Sequence, residues 1–228
     1  MQLSRTTLAV IGAAALALVI TTGVVLAAGP RTATGTTPVA PVTGTYGAGA
    51  GAGGYGQGAG PNGVSGTAAR GTALIDVSTL ASGTLTDAQR AILVQMVEEE
   101  KLALDLYTAF STQYATPVWS NIARSESTHL AAVRALLAKY GIADPTITLA
   151  AGDYATPAVD AMYATLLAQG QASESAAWAV GRAVELDDIA KLDAAAAGVT
   201  ATDVTTVYAS LRAASVSHLA AFDRQLAR

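Results

Sequence analysis

The chain has 228 residues, no cysteine and a formal net charge of −4. That length accommodates one sizeable domain plus tails. The lack of cysteine excludes disulfides and thiolate metal sites, and mild acidity without a basic cluster excludes nucleic-acid binding.

Residues 8–28 are almost wholly apolar, stand behind a lone Arg5, and end in Val25-Leu26-Ala27-Ala28. This reads as a signal peptide with small residues at its cleavage site. The run is also long enough to span a bilayer, which makes an uncleaved N-terminal membrane anchor the alternative. In either case positive charge ahead of the run puts the remainder outside the cytoplasmic membrane. An exported protein is expected, secreted or tethered at the cell surface, touching membrane only through this segment. Residues 29–72 are dominated by Gly, Thr, Pro and Ala, which predicts a flexible linker with a root-mean-square reach of roughly 35 Å.

Residues 73–228 carry helix signals throughout and no strand alternation. Thr86 with Gln89 forms a capping box ahead of a long helix that runs to about residue 113. Thr116-Pro117 opens a second, and Gly141 stands where a C′ glycine belongs. Thr156-Pro157 starts a shorter helix that ends near Gly170. Ser173 caps a third long helix, with Gly198 just past its end, and Thr200 with Asp203 opens a fourth. Short connections make the first and second long helices one antiparallel hairpin and the third and fourth another. The roughly thirty residues between them form a long crossover containing the short extra helix. This is the connectivity of an all-α, ferritin-like four-helix bundle.

Each long helix has an apolar seam of three- and four-residue steps that turns polar near its middle. The seams read Leu93, Met96, Glu100, Ala103, Tyr107, Phe110; Trp119, Ile122, Glu126, His129, Val133, Leu136, Tyr140; Trp178, Gly181, Glu185, Asp188, Leu192; and Val204, Tyr208, Leu211, Ser215, His218, Phe222. Carboxylates and imidazoles at one level of four core faces are expensive to bury without a cation. In the run Glu98-Glu99-Glu100 only Glu100 fits the seam, so Glu98 and Glu99 are expected on a solvated face, and Asp187 is expected to point outward. Glu126-x-x-His129 sets two donors on one helix face. It is echoed by Ser215-x-x-His218, so the chain's two histidines occupy equivalent places in an internal duplication. The candidate metal ligands are Glu100, Glu126, His129, Glu185, Asp188 and His218, with Tyr107 and Ser215 as neighbours of the site. Four carboxylates balance two divalent ions. His218 also reads as a core histidine bonded to Glu100 or Glu185, and Tyr107 as a core tyrosine.

At these residues the chain resembles the ferritin-like superfamily of carboxylate-bridged dimetal bundles. Within it the chain is most similar to the bacterial family called domain of unknown function 2202. The carrying segments are Glu98-Glu99-Glu100-Lys101-Leu102-Ala103, Ile122-Ala123-Arg124-Ser125-Glu126, Val184-Glu185-Leu186-Asp187-Asp188-Ile189 and Ser215-Val216-Ser217-His218-Leu219-Ala220-Ala221-Phe222. The resemblance implies two iron or manganese ions that react with oxygen or peroxide or oxidise Fe(II), as an oxidase, peroxidase or ferroxidase. Glu126 would bridge, His129 and Glu100 would bind one ion, and His218 and Glu185 the other. Ser215 stands where the pattern has a second bridging Glu, which leaves two ions, one ion or none open. The alternative is a non-catalytic tethered surface bundle that buffers metal or binds a partner through Arg124, Arg134, Lys139 and Arg182.

Overall fold

A computed structural model describes residues 75–228; the expectations for residues 1–28 and 29–72 lie outside the described residues. After a 3-10 turn at Val77–Thr79 come five helices: α1 Asp87–Tyr114, α2 Pro117–Lys139, α3 Pro157–Gly170, α4 Glu174–Ala196 and α5 Thr202–Leu226. Among the described residues there is no strand, and the expected all-α fold class is met. α1 packs along α2 and α4 along α5, while α3 lies in the crossover against α1 and α4.

Most helix ends follow from their sequence. Both capping-box hydrogen bonds are made at α1: Thr86 N donates to Gln89 Oε1 at 2.9 Å, and Gln89 N to Thr86 Oγ1 at 3.2 Å. α2 closes with Gly141 at φ +62°, where Ile142 N donates back to Leu137 O at 2.8 Å. Ser173 caps α4 through Ala176 N at 3.1 Å. The start of α5 differs from expectation, since its cap is Ala201 with no side-chain hydrogen bond. Asp203 has a different task here. It is buried and takes Tyr140 Oη–H at 2.7 Å and Lys139 Nζ at 3.1 Å, fastening the start of α5 to the end of α2.

The crossover corrects a second expectation. Glu98 is buried at 3% exposure, where a solvated position was expected. It accepts Thr156 N at 2.9 Å and Thr156 Oγ1 at 2.5 Å, and so caps α3 from a neighbouring helix. One and two turns further along α1, Lys101 donates to Ala150 O at 2.7 Å, and Asp105 accepts Gly152 N at 2.9 Å and Tyr154 Oη–H at 3.0 Å. α1 is therefore covered on two faces, one by the bundle and one by the crossover, and its glutamates cannot all be solvated. Glu99 is the intermediate case, paired at the rim with Lys191 at 2.6 Å. Asp187 also turns to Lys191, at 2.8 Å and away from the core, as its register requires.

Along the bundle axis the interior falls into layers. One end is aliphatic, built on Leu93, Met96, Val97, Val133, Leu136, Leu192, Val204 and Leu211. The other is aromatic: Trp119 and Trp178 stack at 4.1 Å between ring centroids, and Tyr107, Phe110 and Phe222 pack around them. Gly181 makes room for this layer, since a Cβ there would lie 2.7 Å from the Phe222 ring. Between the two layers sits the polar level of the four seams.

Candidate metal centre

Each long helix contributes to the polar level from the middle of its seam. Glu100 comes from α1, Glu126 and His129 from α2, Glu185 and Asp188 from α4, and Ser215 and His218 from α5. Glu126 is central. Its Oε2 accepts His129 Nδ1–H at 2.8 Å, and its Oε1 lies 2.8 Å from His218 Nδ1. Each histidine also approaches a second carboxylate at 3.5 Å, Glu100 Oε2 for His129 and Glu185 Oε1 for His218. The result is two buried triads, Glu100–Glu126–His129 and Glu126–Glu185–His218. Within each, the donor atoms lie within 4.8 Å of one another, and Glu126 belongs to both. The imidazole rings are 5.7 Å apart.

The remaining candidates stand around these triads. Tyr107 donates its hydroxyl proton to Glu185 Oε1 at 2.7 Å and so fixes that carboxylate from the aromatic side. Asp188 belongs to neither triad. It is half-buried and accepts the Ser215 hydroxyl at 2.6 Å, so the serine that aligns with Glu126 in the duplication holds a carboxylate from the neighbouring helix. Sequence reasoning missed Ser125, whose Oγ lies 3.4 Å from His129 Nε2 on the side of the ring away from the carboxylates. Its i, i+4 spacing to His129 was a usable signal.

The charges are strongly coupled. Burial alone would raise the pKa of Glu126, but the contacts with His129 and then His218 outweigh it and hold the group at about 2. Burial would lower both histidines. Instead the Glu100 and Glu126 contacts push His129 up to about 11, and those of Glu126 and Glu185 push His218 up to about 9. Burial raises Glu100 well above the usual carboxylate range, assisted by the charge of Asp188 and opposed by His129. Glu185 is raised by burial and by Glu126, and burial outweighs the Ser215 hydrogen bond to bring Asp188 to about 7. In this state protons on the imidazoles neutralise the carboxylates.

These groups fit a metal ion. Oxygen and imidazole donors without thiolate suit divalent first-row ions, and both histidines present the same ring nitrogen to the cluster. Three buried atoms of the triads lack a hydrogen-bond partner: Glu100 Oε1, Glu126 Oε1 and His218 Nδ1. The last two face each other at 2.8 Å as an ion pair without hydrogen-bonding alignment. Buried polar atoms are seldom left so in native proteins. Of the basic side chains of the partner-binding alternative, Arg134 pairs with Asp144 at 2.9 Å, Lys139 with Asp203 at 3.1 Å, and Arg182 with Asp223 at 2.7 Å.

Comparison with known proteins identifies the family. Residues 89–228 match the family model described as uncharacterized protein domain DUF2202. The chain is 35% identical over 150 residues to the uncharacterized protein MJ0754 of Methanocaldococcus jannaschii, covering 66% of this chain and 81% of that protein. The crystal structure of the hypothetical protein MJ0754 from Methanococcus jannaschii superposes with a TM-score of 0.63 at 35% identity, covering 65% of this chain and 85% of that one. With buried Glu and His groups that could hold a metal ion in an all-helical bundle, this chain belongs to the DUF2202 family.

Proposed function

We propose that this chain is an exported ferritin-like metalloprotein whose bundle holds two divalent ions, iron or manganese, at the paired triads. The observation that carries the reading is the position of Glu126, one carboxylate oxygen in each triad. A carboxylate so placed is disposed to bridge two cations, with Glu100 and His129 completing one side and Glu185 and His218 the other. Ions of this class supply one- or two-electron redox chemistry toward oxygen or peroxide. The chain's own residues would do the rest. Tyr107 keeps its proton on the Glu185 side and orients that carboxylate. Ser215 fixes the Asp188 carboxylate by a hydrogen bond at 2.6 Å, outside both triads. The Trp119–Trp178 stack and Phe222 exclude water from one end.

The Ser215–Asp188 hydrogen bond favours a second reading, a metal buffer without turnover, because it withholds a carboxylate from the triads. Metal analysis after Fe(II) or Mn(II) loading, followed by oxygen and peroxide consumption, separates the two. Bound metal with turnover supports redox function, and bound metal without it supports the buffer. Glu126→Ala and His129→Ala should each abolish stoichiometric binding; equal metal in either variant overturns the assignment.

A further inference from the structure

The outer face of the α4–α5 hairpin carries a pattern that the metal centre does not use. α4 presents Arg182, Leu186, Ile189 and Asp193, and α5 presents Arg212, Val216, Leu219 and Asp223. Both sets run Arg, aliphatic, aliphatic, Asp at steps of four, three and four, which keeps each on one helix stripe. The helices are antiparallel, and the ends of the stripes meet as two exposed ion pairs, Arg182–Asp223 at 2.7 Å and Arg212–Asp193 at 2.5 Å. That register sets Leu186 beside Leu219 and Ile189 beside Val216. The four aliphatics form one patch with an ion pair at each end. Leu186 and Val216 are 43% and 42% exposed, two of the four large hydrophobics so exposed among the described residues. Exposed Ala190, Ala213 and Ala220 flank the patch and keep its relief low.

We propose that this face joins two copies of the chain. Charge complementarity selects this partner. Positive and negative ends alternate around the patch, with Arg182 diagonal to Arg212 and Asp193 diagonal to Asp223. A twofold axis lying in the face, along or across the helices, then brings every arginine over an aspartate of the second copy and apolar patch over apolar patch. A foreign partner would have to reproduce this quadrupole; a second copy already has it. The stripe spans about 16 Å at 1.5 Å per residue, so the contact is at the small end of specific interfaces, and the dimer is reversible.

Sedimentation velocity of the full chain over a wide concentration range tests this. The unaltered protein should show a monomer–dimer equilibrium. Val216→Glu, at an exposed position near the axis, should weaken it by about tenfold or more through like-charge approach with an unchanged melting temperature. R182D with R212D makes all four corners acidic and should also dissociate the dimer. Adding D193R and D223R reverses the quadrupole, makes the face self-complementary again, and should restore association. A protein monomeric at every concentration, a dimer indifferent to Val216→Glu, or no restoration in the fourfold variant overturns the proposal. None of these outcomes depends on metal content, so the reading of the metal centre is tested separately.

Discussion

Under the proposed reading, the state of the two histidines makes metal binding a proton-exchange reaction, and pH is the perturbation that exposes it. In the metal-free protein at pH 7 His129 and His218 hold protons on the Nδ1 atoms that face the carboxylates, with pKa values raised to about 11 and about 9. A metal ligand must give up that proton. Loading both triads would therefore release two protons from the histidines. By linkage, overall log K should rise by about two per pH unit between pH 6 and 8, a roughly hundredfold gain per unit at about 1.4 kcal/mol per proton. Titration calorimetry with Mn(II) in buffers of different ionisation enthalpy counts the protons directly. Binding that is flat with pH, or that releases no proton, would show that ions do not replace the Nδ1 protons and would refute the coordination scheme.

The metal-free fold should respond in the opposite direction. A histidine whose folded pKa is raised stabilises fully below its unfolded value of 6.5 and loses that contribution as pH rises through its folded value. For His218 the loss falls between 6.5 and about 9, and for His129 it continues to about 11. Glu126, depressed to about 2, contributes above 4.5 and loses its contribution as pH falls toward 2. Thermal melts from pH 6 to 9 should show the metal-free protein weakening while the metal-saturated protein holds or gains.

Other perturbations separate the site from its frame. Gly181→Ala places a Cβ 2.7 Å from the Phe222 ring and should cost about 1–3 kcal/mol by overpacking, read as a lower urea midpoint. Glu98→Ala removes the cap that α3 borrows from α1. A loss of about 1–2 kcal/mol and faster hydrogen exchange at Thr156 are expected, with metal stoichiometry unchanged. Ser215→Glu restores the duplicated Glu-x-x-His in a position only 1% exposed. It should lower metal-free stability by roughly 1–3 kcal/mol for an added buried polar group while tightening the second ion; differential scanning calorimetry with and without Mn(II) resolves the two effects.

What was legible in the sequence divides along physical lines. The seams were readable because a core-facing stripe obeys the helix period whatever its chemistry, so Glu100, Glu126, Glu185 and His218 gave themselves away by interrupting apolar runs. The helix starts at Thr86 and Ser173 were readable because their caps are local. Glu98 was not, because its partner Thr156 belongs to another helix, and no periodicity in α1 reveals that a crossover covers its outer face. Asp203 failed for the same reason: its position suggests a helix start, but its hydrogen bond leads to Tyr140 and its ion pair to Lys139, at the end of α2. Asp188 fits the seam by register yet stops at Ser215, a choice between two neighbours that spacing cannot make.

The layering explains how such a polar level can be buried inside a stable bundle. A buried level carrying Glu100, Glu126, Glu185 and Asp188 would push the helices apart if all four were ionised. Two responses prevent this. Protons stay on the imidazoles, so Glu126 lies between two cations even without metal, and burial raises Glu100 well above the usual carboxylate range. The aliphatic layer at one end and the stacked tryptophans at the other hold the four helices at their spacing through contacts that do not depend on the polar level. Folding therefore does not require metal, and under the proposed reading cations would replace protons at a level whose flanking layers are already packed.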